Sequence, residues 1–122
     1  MVHIEVRLSR LEDAVLRSIA SQYPDASSAV KAQRSAARVT DRRNTEAGFY
    51  TTFEIDPSCP AITAASPMGN VTARVQGLAH GMGFILWLKD GRLNQLEGYS
   101  FGEDTSGIDL EVAGFDLGGA GL

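Results

Sequence analysis

The sequence predicts an α+β domain in which two N-terminal helices pack on one face of a mostly antiparallel sheet of about five strands. Three observations carry this. Apolar residues recur at helical spacing early and at a spacing of two from Val39 onward, helices and strands do not alternate, and Asp90-Gly91 stands between two apolar runs. The 122 residues, 43% of them hydrophobic and 21% charged, are enough for one core and too few for two, so residues 1–122 read as a single domain.

The first helix starts near Leu8. Leu11, Val15 and Ile19 follow at spacings of three and four, with Arg10, Glu12, Asp13 and Arg17 between them, and Ser9 with Glu12 has the form of a capping box. Tyr23-Pro24-Asp25 ends this pattern, because proline disfavours the helical conformation in the residue before it. A second, alanine-rich helix is expected from Asp25 or Ser27 to about Arg38.

Strands follow. Val39 to Asn44 reads as the first, its Arg42-Arg43 pair suiting an edge or a solvent face. Gly48 to Ile55 is half-buried, with Phe49, Thr51, Phe53 and Ile55 on one side and Tyr50, Thr52 and Glu54 on the other. The turn-rich stretch 56–70 is an irregular connection, and Val71 to Leu78 alternates as a third strand. Phe84 to Leu88 is apolar at every position, the pattern of a central strand covered on two sides. Asp90-Gly91 suits a type I′ turn, where both central residues need positive φ, so Arg92 to Phe101 returns antiparallel to it. Leu93 and Leu96 are three apart and share a face only if a bulge lies near Asn94-Gln95. Ile108 to Val112 alternates as a last short strand, and the glycine-rich segment 114–122 is expected to be loosely held.

Three stretches together resemble a family of small bacterial α+β proteins with no established activity. They are Arg42-Arg43-Asn44-Thr45-Glu46-Ala47-Gly48-Phe49-Tyr50-Thr51-Thr52-Phe53-Glu54-Ile55, Gly77-Leu78-Ala79-His80-Gly81-Met82-Gly83-Phe84, and Asp90-Gly91-Arg92-Leu93-Asn94-Gln95-Leu96-Glu97-Gly98-Tyr99-Ser100. The resemblance spans most of residues 8–104. It implies the same fold and brings no catalytic residue with it. Members continue with Trp-Pro after the acidic stretch, where this chain has Glu103-Asp104-Thr105, so the C-terminal segment falls outside the likeness.

Several chemistries fail on pattern. Gly81-Met82-Gly83 lacks the third glycine of a dinucleotide loop and runs into a strand, and no Gly-Lys-Ser/Thr is present. His3 and His80 lie far apart, no His-Glu-x-x-His occurs, and the acidic run from Asp104 to Asp109 lacks the glycine and terminal glutamate of a calcium loop. No cofactor or metal is therefore expected. The lone Cys59 forms no internal disulfide, which points to a reducing compartment, and the longest uncharged apolar run, Gly77 to Leu88, is shorter than the roughly 20 residues a membrane helix requires. Without an export pattern at the start, the expected location is cytoplasmic. If the chain is an enzyme, His80 is the first choice for its acid or base and Cys59 for its nucleophile.

Charge is more informative. Residues 1–88 hold nine cations against eight anions, whereas residues 89–122 hold two against seven, which accounts for the net charge of −4. Lys31, Arg34 and Arg38, continuing into Arg42-Arg43, form a basic stripe without interleaved aromatics, read as ion pairing within the domain and not as a nucleic-acid site. The leading expectation is a non-catalytic domain that binds a basic protein through an acidic C-terminal surface of Glu97, Glu103, Asp104 and Asp109 with Tyr99 and Phe101 as aromatic anchors. A toxin-neutralising immunity protein is one concrete form. Two rivals stand beside it: a small enzyme or small-molecule binder with a sheet–helix pocket around His80, Cys59 and Tyr50, and a homodimer formed through the face that carries Ile85 and Trp87.

Overall fold

The computed structural model describes residues 7–117. Helices α1 (Arg10–Ser21) and α2 (Ser27–Ala36) precede six strands, β1 (Arg38–Asn44), β2 (Gly48–Glu54), β3 (Met68–Val75), β4 (Met82–Lys89), β5 (Arg92–Ser100) and β6 (Phe115–Asp116). All pair antiparallel, in the order β1-β2-β5-β4-β3-β6. This is the expected α+β arrangement with one strand more.

The local signals act as their chemistry requires. Ser9 caps α1: its Oγ accepts from the Glu12 N–H at 3.1 Å, and Glu12 Oε1 accepts from the Ser9 N–H at 2.7 Å. Asp90 and Gly91 have φ of 52° and 74°, and Lys89 faces Arg92 across the turn. α2 stops at Ala36 because Ala37 is extended, so Arg38 opens β1. β3 begins earlier than the alternation suggests and ends at Val75, where the N–H of Leu78 donates back to the Val75 carbonyl at 3.0 Å.

Three bulges shape the sheet. The register slips at Thr40 in β1, at Gly69-Asn70 in β3 and at Asn94 in β5. Each slip lets two residues three apart point inward together: Val39 with Arg42, Met68 with Val71, Leu93 with Leu96. Bulges also bend and twist the strand that carries them, which curls the sheet around its helices.

The core lies between the helices and that concave face. Leu11, Val15, Leu16, Ile19 and Val30 meet Met68, Val71, Phe84, Leu86 and Leu96, all buried. Each such side chain stabilises the fold by roughly 1.5–3 kcal/mol. Gln33, fully buried, fastens α2 to the β4–β5 hairpin: Nε2 donates to the Pro60 and Gly91 carbonyls at 2.7 and 3.0 Å, and Oε1 accepts from the Leu93 N–H at 2.9 Å. Part of the basic stripe is paired within the domain, Arg34 with Asp13 at 2.5 Å and Arg38 with Glu54.

Two expectations are corrected. β4 is covered on one side only: Phe84 and Leu86 are buried while Trp87 keeps 37% of its surface on the opposite face, because both helices lie on the concave side. Ile108 to Val112 is a turn, with the Val112 and Ala113 N–H groups donating to the Asp109 carbonyl and the Asp109 side chain accepting from the Glu111 N–H, local bonds that replace a ladder. The last strand is Phe115–Asp116, paired with Val75 and Arg74 in the segment expected to be loose, of which 118–122 lie outside the described residues. No helix among the described residues is long and apolar enough to cross a membrane.

Candidate functional site

Two places concentrate chemistry, one on each face of the sheet. The pair read as suiting an edge or a solvent face lies on edge strand β1 with Arg43 exposed, but on the concave side the Thr40 bulge turns Arg42 inward onto Glu12. The contact is bidentate, Arg42 Nε to Glu12 Oε2 and Nη2 to Oε1, both at 2.8 Å. Thr51 Oγ1 donates to Glu12 Oε2 at 2.6 Å. Burial pushes the Glu12 carboxyl up, but the bonds from Arg42, Thr51 and the Ser9 N–H outweigh it and hold the group below its ordinary value. Arg42 is completed by the Arg7 carbonyl at 2.7 Å and, through Nη1, by Glu111 at 2.6 Å.

Beside this cluster lies a cavity of about 250 Å³, walled by Phe49, Ile108 and Leu110. The turn that roofs it is fastened by Thr105, fully buried, whose Oγ1 donates to Asn44 Oδ1 at 2.9 Å and accepts from the Gly48 N–H at 3.0 Å. Asn44 Nδ2 returns a bond to the Thr105 carbonyl at 2.8 Å.

On the open face, register sets Tyr50 of β2 opposite Glu97 of β5, whose partner on β4 is Ile85, with Trp87 of β4 reaching Glu97 on the diagonal. Trp87 Nε1 donates to Glu97 Oε1 at 3.0 Å. The charge of Glu97, reinforced by some burial and a hydrogen bond, raises the Tyr50 phenol above its ordinary value. Tyr99 follows on the same face, its ring lying over Gly83 and its hydroxyl 3.4 Å from Asn70 Oδ1, and Phe101 meets it edge-on at 5.7 Å.

The remaining acids of the expected acidic surface sit apart from this trio. Glu103 folds back onto the β3–β4 turn, where the N–H groups of Ala79 and His80 donate to it at 2.9 Å each and hold its carboxyl below the ordinary range. Asp104 accepts from the Ser106 N–H, and Asp109 lies at the cavity. His80 is exposed on that turn, in a shallow recess of about 390 Å³ shared with Arg74 and Asp116. Cys59 belongs to the connection held at the far end of β4, where the N–H of nearby Ile62 donates to the Gly91 carbonyl. The eight residues of β4 span roughly 25 Å, so Cys59 and His80 lie toward opposite ends of the strand and are not brought together as the enzyme alternative requires. Tyr50 is on the open face and meets neither of them. Among the described residues, no group of three His, Cys, Asp or Glu side chains is placed to hold a metal ion.

Glu12, Arg42, Thr51 and Thr105 are therefore the polar residues that reading by pattern misses. Two signals for the first and third were present: Glu12 falls inside the stripe of Leu11, Val15 and Ile19, and Thr51 shares the inner face of β2 with Phe49 and Phe53. Comparison with family models, with curated proteins and with solved structures returned no match, so the likeness noted in the sequence assigns no residue a role.

Proposed function

We propose that the chain is a non-catalytic binding domain that docks a basic protein on the open face of its sheet, with a toxin-neutralising immunity protein as one concrete form. The observation that carries this reading is the carboxylate of Glu97 set between Trp87 and Tyr50 on a face that no helix among the described residues covers. A lysine or arginine of the partner finds there a charge to pair with and two aromatic rings to lie against, contacts that reinforce each other once water is excluded. Tyr99 and Phe101 extend the aromatic surface in the manner of interface anchors. The net charge of −4 adds a long-range attraction for a cationic partner, although the other C-terminal acids lie away from this face and do not aim it there.

The test compares the full chain with Glu97→Gln and Trp87→Ala, both checked for folding, in affinity capture at low and high salt. The expected result is a basic protein held by the parent chain at low salt, released at high salt and lost with either substitution. Capture unaffected by both substitutions overturns the reading. A salt-insensitive dimer in sedimentation equilibrium, abolished by Trp87→Ala, replaces it with the self-association alternative through Ile85 and Trp87.

A further inference from the structure

We propose that the cavity under the 105–111 turn binds a small carboxylic acid with an apolar body, its carboxylate taking the place of Glu111 on Arg42. This goes beyond docking on the open face and concerns the opposite side of the sheet.

The argument starts from Arg42. Two of its nitrogens are committed to Glu12, which is 3% exposed, and Nη2 also holds the Arg7 carbonyl. Nη1 alone reaches toward the cavity roof, where it meets Glu111, whose side chain is 57% exposed and stands on a turn. Of the two carboxylates that Arg42 binds, Glu111 is the one that water already solvates, so it is the more easily exchanged. With its fork occupied by Glu12, Arg42 offers a ligand carboxylate one charge-assisted bond, from Nη1. A ligand carboxylate at Nη1 replaces a charge of the same sign, so the local balance is kept while Glu111 returns to solvent. Asp109, also at the cavity, opposes an anion there, so the ligand carboxylate depends on Glu111 leaving.

The rest of the space sets the body of the ligand. Phe49, Ile108 and Leu110 offer apolar walls, and about 250 Å³ corresponds to about eight water-sized groups. A six-carbon acid fills that.

The probe is hexanoate, titrated into the full chain and followed by amide and methyl chemical shifts, with hexanamide as its uncharged isostere. Hexanoate is expected to shift Ile108, Leu110 and Phe49. Hexanamide should bind about tenfold more weakly, since it forfeits the charge-assisted contact. Glu111→Gln, which leaves Glu12 and Arg42 in place, should tighten hexanoate about two- to fivefold by removing the competing exposed carboxylate. Leu110→Trp, filling the cavity from its rim, should abolish the shifts. Equal affinity for acid and amide, shifts that map elsewhere, or a Glu111→Gln affinity no tighter than the parent's would each overturn the proposal. So would an absence of binding up to about 10 mM, the millimolar range that a ligand of this size reaches.

Discussion

Glu12 is at once the third residue of a helix cap and the buried anion of the concave face. Its carboxylate is held by Arg42, Thr51 and the Ser9 N–H, and its pKa is lower in the folded chain than in the unfolded one. The sign of the linkage follows. A depressed carboxyl stabilises the fold fully above its unfolded value, near 4.5, and the contribution is lost as pH falls through the lower folded value. Glu12→Gln should therefore unfold more easily at neutral pH, by about 1–3 kcal/mol for the lost charged hydrogen bonds. The gap between Glu12→Gln and the parent chain should close as the pH is lowered below 4.5. Urea titrations at stepped pH check this, and a gap that widens in acid contradicts it.

The bulges decide which elements were legible. Leu93 and Leu96 betray theirs, since two leucines three apart in a strand both seek the core, and the slip lies at Asn94 as expected. The slip at Thr40 leaves no such trace, because the residue it turns inward is an arginine; strict alternation from Val39 puts Arg43 inside and Arg42 outside, the reverse of what forms. That single slip hid the buried ion pair. Met68 was hidden in the same way behind the turn-forming Gly69-Asn70. Fold class, capping box and hairpin rest on local chemistry and are readable one segment at a time; Cys59 and His80 depended on long-range placement, which pattern does not supply. A bulge residue is surplus to the ladder, which gives a test. Deleting Asn94 leaves Leu93 opposite Leu88 and Leu96 opposite Leu86, so the variant should fold cooperatively with a loss of about 0.5–3 kcal/mol. Deleting Glu97, in regular pairing, turns every later residue of β5 to the wrong side and should prevent folding. Circular dichroism and thermal melts distinguish the two.

The molecule as a whole is a single layer of sheet with two different faces, one filled by helices and one left open. Its two flanks are guarded unequally. Along β1, Arg38, Asp41 and Arg43 are exposed and the Thr40 bulge breaks the repeat, so a foreign strand finds no even row of amides to copy. Along β3 the guard among the described residues is Phe115 and Asp116, helped by the Gln76 N–H bond to the Gly114 carbonyl at 2.8 Å. A chain stopped after Gly114 loses that short cover together with Phe115 and Leu117, which pack at the margin of the core, while the fully buried residues stay in place. It should become prone to templated stacking, seen as light scattering that grows with protein concentration and incubation time, and a truncated chain that stays monomeric would show that β3 needs no shield. The last two paired residues thus act as a sheath, and their contribution is measured in colloidal behaviour more than in melting temperature.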